Sequence, residues 1–268
     1  MTKCIIVVPI YKEQPTITDL LSLRQLDAVA AHNHDVAFVC PESLDTAAYE
    51  NLVYNARFVR FEDKYFENTT SYSQLCISYG FYAQFADTYD YMLIYQTDCW
   101  IFRDEIDEWC SEGYDYIGGP ILSKYSLWPA FKSPAAVPQV GNGGFSLRKL
   151  STMTTLTANS WKYRDSFDWD EVEYEDLFIC NIITKHYPLD VPNWRTALNF
   201  AWDCSVGEIY KRNYTNGNLP MGCHAVFKQI EFWKNHIPEL NDTEILEYQR
   251  AKNKAFFEEQ MAKAEKKE

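Results

Sequence analysis

The sequence predicts an α/β fold: a Rossmann-like mixed sheet flanked by helices, with an added C-terminal helix. Three observations predict it. Cys4–Ile10 is a β-branched run interrupted by Pro9, and it is followed by helical spacing and a second apolar run, Val36–Cys40. That order makes a right-handed parallel crossover. Met92-Leu93-Ile94-Tyr95 is apolar without alternation, as a strand buried on both faces requires, and it stops at Gln96-Thr97-Asp98. Finally, 268 residues at 47% hydrophobic and 16% aromatic content suffice for a large packed core.

Each element follows in order. After Tyr11–Pro15, Thr16 and Asp19 have capping-box spacing, and Leu20, Leu23, Leu26 and Val29 repeat at near-helical intervals. Ala56–Phe61 reads as a third strand. Ser71 and Gln74 open a second helix with Tyr72, Leu75, Tyr79, Tyr82 and Ala86 on one face, Gln74 acting as a cap. It leads to a strand within Tyr89–Phe102. Tyr114–Pro120 is a strand closed by glycines, and 122–140, rich in Pro, Trp, Phe and Lys, reads as a surface loop that orders over a ligand. Gly141-Asn142-Gly143-Gly144 is a turn that lets backbone approach a ligand before another strand begins at Phe145. Leu177–His186 and Thr243–Lys267 read as helices, the latter amphipathic with a mixed-charge end at Lys263–Glu268. The expected organisation is one domain over 1–240, with a nucleotide-binding half (1–104) and an acceptor half (105–240), followed by a helical tail over 241–268.

A net charge of −13 and a pI near 4.9 leave no basic footprint for nucleic acid. An anionic ligand therefore needs a local cation or a metal. No stretch approaches the ~20 apolar residues of a membrane span, and the first apolar run is too short for a signal peptide. The expectation is a cytoplasmic protein. Eight scattered cysteines without a C-x-x-C pair point to reduced core thiols rather than zinc or disulfides.

Chemistry concentrates at a few carboxylates. Asp98 falls just past the C-terminal end of a central strand, where open α/β sheets bind ligands, although an Asx-turn or a helix cap would also place an aspartate there. Glu175-Asp176 stands at a helix start, which the helix dipole alone would favour. His224, by itself, is as compatible with a structural role. The first turn, Tyr11–Pro15, lacks the glycines that both the dinucleotide fingerprint and the P-loop wrap around phosphates. A sugar nucleotide can instead be held through a carboxylate-bound Mn²⁺ or Mg²⁺ bridging its phosphates, with a second carboxylate deprotonating an acceptor hydroxyl.

Pro9-Ile10-Tyr11-Lys12-Glu13, Tyr91–Asp98, Tyr114–Pro120, Gly141–Arg148, Glu175-Asp176 and Pro220-Met221-Gly222-Cys223-His224 together resemble the ordered motifs of a family of mostly bacterial GT-A-type glycosyltransferase-like proteins, over roughly residues 4–235. The resemblance implies transfer of a sugar from a nucleotide-sugar donor, UDP-linked, to a saccharide or glycoconjugate acceptor in surface polysaccharide synthesis, with inversion. It implies Pro9, Tyr11, Glu13, Gln96, Thr97, Asp98 and Lys228 at the nucleotide. Asp98 and His224 would be the metal ligands, and Asp176 the base with Glu175 beside it. Asn142, Gly143, Gly144 and Phe145 would border the sugars. The sequence departs from the family at Gln96, where the full metal motif has an aspartate. Two other functions share some of these features. A nucleotidyltransferase would want a basic glycine loop after the first strand, which Tyr11–Pro15 is not. A non-catalytic carbohydrate- or nucleotide-binding protein would tolerate Gln96.

Overall fold

The computed structural model describes residues 2–121, 139–159, 174–182, 187–203 and 205–265. Strands β1 (Cys4–Pro9), β2 (Asp35–Pro41), β3 (Arg57–Phe61) and β4 (Tyr91–Tyr95) are parallel, while β9 (Phe145–Lys149) runs antiparallel between β4 and β6 (Tyr116–Gly118). The sheet order is β3-β2-β1-β4-β9-β6. The chain winds outward from β1 to β2 and β3, then returns to place β4 on the other side of β1. The loops after β1 and β4 therefore diverge and leave a crevice at the carboxyl ends of these strands. Tyr11 and the Gln96-Thr97-Asp98 trio sit on those two loops.

Burial explains the strands. All six residues of β1 and all five of β4 are buried, because helices cover both faces. Alternate residues feed two cores. Ile6, Val8, Leu93 and Tyr95 face α1 (Ile17–Leu26), whereas Ile5, Val7, Met92 and Ile94 face α3 (Tyr79–Ala86) and α5 (Leu150–Ala158). Helix α1 starts as its capping box requires, Thr16 accepting from the Asp19 amide and Asp19 from the Thr16 amide. It then loosens into a π-turn over Asp27–Ala31.

Several boundaries differ from the sequence expectation. The second helix begins at Thr69, not Ser71. Asn68 is its cap, and it breaks at Ile77 so that Ser78 caps a separate α3. Gln74 thus lies inside α2 (Thr69–Cys76), beyond the Asn68–Ser71 capping box. Tyr89–Phe102 is two strands, because the polar trio turns the chain out of the main sheet and β5 (Trp100–Ile101) joins a smaller one. Beyond Glu175 only α6 (Glu175–Leu177) is α-helical before a π-turn over Phe178–Ile182. Residues 122–138 of the expected loop, 183–186 of the expected Leu177–His186 helix, and Lys266–Glu268 lie outside the described residues.

The remaining described elements are α4 (Ile106–Ser111), β7 (Pro120–Ile121) paired with β8 (Gln139–Val140), α7 (Trp194–Phe200), β10 (Ala201–Trp202), α8 (Val206–Lys211), β11 (Gly222–Cys223), α9 (Ile230–Trp233) and α10 (Thr243–Glu265). A third core cluster, built around Trp202, Trp233, Phe227 and Leu240, joins the small sheet to α10 through Ile245. No described helix is long and apolar enough to cross a membrane.

Candidate functional site

The small sheet has the order β10-β11-β5, with β10 parallel and β5 antiparallel to β11. Its register pairs Trp202 with Cys223 and Cys223 with Trp100. Residues leaving β10 and β11 and residues entering β5 therefore share one edge. That edge carries Asp203, His224 and Asp98, three side chains far apart in sequence.

His224 is the hub. Its Nδ1 lies 3.1 Å from Asp203 Oδ1, and its Nε2 lies 3.1 Å from both Asp98 Oδ1 and Gln96 Oε1. Burial disfavours the charged ring, but the two carboxylates override it and raise the His224 pKa to about 10. Asp98 shows the converse: desolvation opposes ionisation, yet the charge and hydrogen bond of His224, with Lys228 and Lys252 behind them, hold its carboxyl well below the usual range. Lys228 Nζ stands 4.0 Å from Asp98 Oδ2 and is 68% exposed.

Gln96 Oε1, Asp98 Oδ1 and His224 Nε2 thus converge, with Asp203 on the far side of the ring, and the raised His224 pKa means that the imidazole could ligate Mn²⁺ only by losing its Nε2 proton in competition with the incoming ion. Among the described residues no group of three or more His, Cys, Asp or Glu is arranged to hold a metal alone. These residues fit a divalent ion that takes its remaining ligands from phosphates and water.

A cleft of about 430 Å³ opens beside this cluster, lined at the β1 and β4 ends by Pro9, Tyr11, Lys12, Gln96, Thr97 and Asp98. Tyr11 is 59% exposed, so it is no core aromatic. Asp19 underlies the cleft. Its Oδ1 accepts from Thr97 Oγ1 at 2.8 Å, and its Oδ2 accepts from the Thr16 amide at 2.9 Å and from Lys12 Nζ at 3.1 Å. Burial would raise the Asp19 pKa, but these partners keep it lowered. Glu13 is exposed and outside the lining.

The glycine turn stands between the two carboxylate groups. Gly143 N–H donates to Asp176 Oδ2 at 2.9 Å, and the Gly143 carbonyl accepts from Ser146 Oγ at 2.9 Å and from Arg148 Nη2. Gly144 N–H donates to Asn142 Oδ1, and Asn142 Nδ2 donates to Asp203 Oδ2 at 2.7 Å. A Cβ on Gly144 would collide with the His224 ring, and one on Gly143 with Glu175. Glycine is needed at both because these side chains press directly on the backbone. Asp176 and His224 therefore grip one three-residue turn from opposite ends, while Asp176 itself is not in the cleft lining.

Two expected roles are corrected here. Glu175 Oε1 pairs with Arg148 Nη2 at 2.8 Å, and Arg148 is fully buried. A carboxylate committed to a buried guanidinium is not available as a base. Arg148 also donates to Tyr82 Oη at 2.9 Å and lies 5.3 Å from the Tyr116 ring centroid. Phe145 is fully buried between Tyr95 and Phe200, at centroid distances of 6.0 and 5.3 Å, and packs the core rather than a sugar. Residues the sequence reading gave no role at the site include Asp19, expected only to cap α1, Asp203 and Arg148. For Arg148 a signal existed, since Ser146 and Arg148 alternate with the apolar Phe145 and Leu147.

The protein family described as "Protein of unknown function (DUF5672)" matches residues 55–224. No curated protein matches the sequence. Among solved structures, mouse xyloside xylosyltransferase 1 in its apo form is similar with a TM-score of 0.53 at 13% identity, covering 84% of this chain and 98% of that one. The galactosyltransferase LgtC, in complex with donor and acceptor sugar analogs, is similar with a TM-score of 0.51 at 15% identity, covering 82% and 86%. At such identity these likenesses show the fold, which is GT-A-like.

Proposed function

The chain belongs to the DUF5672 family, and we propose that this member is a glycosyltransferase that moves a sugar from a nucleotide-sugar donor, UDP-linked, to a hydroxyl of a saccharide or glycoconjugate. The observation that carries the reading is the convergence of Gln96, Asp98 and His224 beside a cleft at the carboxyl ends of β1 and β4.

The cleft takes the nucleotide between the Pro9–Lys12 loop and Thr97, with its phosphates toward Asp98. A divalent ion held by Asp98, His224 and Gln96 would neutralise the leaving diphosphate. Lys228 adds positive charge from the rim. Asp203 orients the imidazole, and Asn142 ties that carboxylate to the glycine turn. Asp176, at the other end of the turn, serves as the base that takes the proton of the acceptor hydroxyl as the anomeric bond to the diphosphate breaks. That role carries inversion of the anomeric centre. The Gly143 amide on Asp176 Oδ2 fixes the direction of the carboxylate.

The test is turnover of UDP-sugars with acceptor saccharides, read as UDP release and product anomer. Asp176→Asn is expected to lower turnover by about 10²–10⁴-fold while UDP affinity stays within about twofold. Unchanged turnover would reduce Asp176 to an anchor for Gly143. Gln96 favours one other reading, a non-catalytic binder, and UDP-sugar hydrolysis without acceptor would exclude it.

A further inference from the structure

We propose that Lys252, which reaches the donor cleft from α10, contacts the phosphates of the nucleoside diphosphate, an assignment that rests on the donor-site reading above. Ile245, Gln249, Lys252 and Phe256 are spaced by four, three and four residues and so share one stripe of the helix. Ile245 and Gln249 are buried, at 7% and 2% exposure, and Leu246 packs beside them on the third core. One turn further along the same stripe stands a lysine instead of an apolar residue. Lys252 lines the cleft with Tyr11, Lys12, Gln96, Thr97 and Asp98.

The helix is anchored where this requires. Arg250 Nε pairs with Glu231 Oε1 at 2.7 Å, and Asn253 Nδ2 donates to the Lys228 carbonyl at 3.4 Å. The second contact ties α10 to the segment that follows His224.

The cations around the cleft are not equivalent. Lys12 is held by Asp19 at 3.1 Å, and Lys228 lies at 4.0 Å from Asp98. Lys252 makes no hydrogen bond or salt bridge among the described residues, although it stands close enough for its field to stabilise the Asp98 carboxylate. In a chain of net charge −13, an unpaired ammonium beside a cleft is the group an incoming diphosphate would engage.

The experiment is calorimetric titration of the full chain with UDP and with GDP in the presence of Mn²⁺. Wild type is expected to bind at least one of them, and Lys252→Ala to bind it about five- to tenfold more weakly with an unchanged melting temperature. Lys252→Arg should restore most of the affinity. Lys254→Ala, whose lysine pairs with Glu258 at 3.9 Å on the same helix, should bind as wild type does. Wild-type affinity in Lys252→Ala, or equal weakening in Lys252→Arg and Lys254→Ala, would overturn the role of Lys252 and leave the donor site standing. A wild-type protein that binds neither nucleotide would overturn the donor site, and this proposal with it.

Discussion

The two ends of the six-stranded sheet carry clefts of similar size and opposite character. At the amino ends a cleft of about 300 Å³ is lined by Lys3, His32, His34, Asp35, Tyr54 and Tyr89, among others. Several of its polar groups are already engaged: His34 Nε2 lies 2.9 Å from Asp104 Oδ1, Asn33 Nδ2 donates to Asp104 at 2.8 Å, and Asp35 takes the Tyr89 hydroxyl at 2.8 Å. At the carboxyl ends the 430 Å³ cleft is lined by residues from distant segments, among them Tyr11, Asp98 and Lys252, and His224 beside it presses on the bare backbone of Gly144. Size does not separate these two clefts. Strand polarity does, because the loops after β1 and β4 diverge only at the carboxyl end.

Breaking the carboxyl end should have the largest effect. Asp98→Asn removes the charge facing His224 and is expected to lower UDP-sugar turnover by about 10²–10³-fold, as loss of a group stabilising the leaving-group charge does. The next largest effect sharpens the contrast by acting behind the glycine turn. Arg148→Met leaves Glu175 buried without its cation, and such a break costs about 3–5 kcal/mol. In a chain of this size that lowers the melting temperature by roughly 10 °C. Adding Glu175→Gln should recover part of the loss by removing the orphaned charge, and calorimetry of the single and double variants would show it.

The smallest effect belongs to the amino end. Burial works against the charged form of His34, but its hydrogen bond to Asp104 prevails, helped by Asp107 and Asp35, and its pKa is raised. That of Asp104 is lowered, desolvation being outweighed by His34 and Asn33. The His34 contribution is complete below its unfolded pKa of about 6.5 and fades as pH rises through the higher folded value. The Asp104 contribution is present above about 3.9 and fades as pH falls through its lowered folded value. His34→Gln should therefore cost about 1 kcal/mol at most, the gap to wild type being widest between about pH 4 and 6.5 and narrowing in alkali, with turnover unchanged. Denaturant melts at pH 5.5 and 9 would detect it. A comparable fall in turnover would erase the distinction between the two ends.

The fold was legible because its signals are local. Unbroken apolar runs made β1 and β4, and the Thr16–Asp19 box started α1. The second helix was misread because Asn68, rather than Ser71, supplies the stronger cap, and Ser78 competes to start a new one. The site was legible in part. Asp98 was legible because it lies just past the carboxyl end of an apolar strand, whereas His224 was legible only through the resemblance to GT-A-type proteins. Asp203, and Asp19 beyond its cap of α1, were not legible as site residues, because their pairings there run across 21 residues to His224 and 78 residues to Thr97, which no local pattern encodes. Glu175 and Asp176 are adjacent in sequence and equal in composition, yet one faces a buried guanidinium and the other a glycine amide. Only the packing of Arg148 separates them.

The central claim is that Asp98 and His224 face the diphosphate of a bound nucleotide. The direct measurement is the melting temperature of wild type and Asp98→Asn with UDP, with and without Mn²⁺. At a ligand concentration about 100-fold above Kd, wild type with Mn²⁺ should gain roughly 5–10 °C, and Asp98→Asn should lose most of that gain. No shift with UDP in wild type, or an equal shift in the variant, would contradict the account.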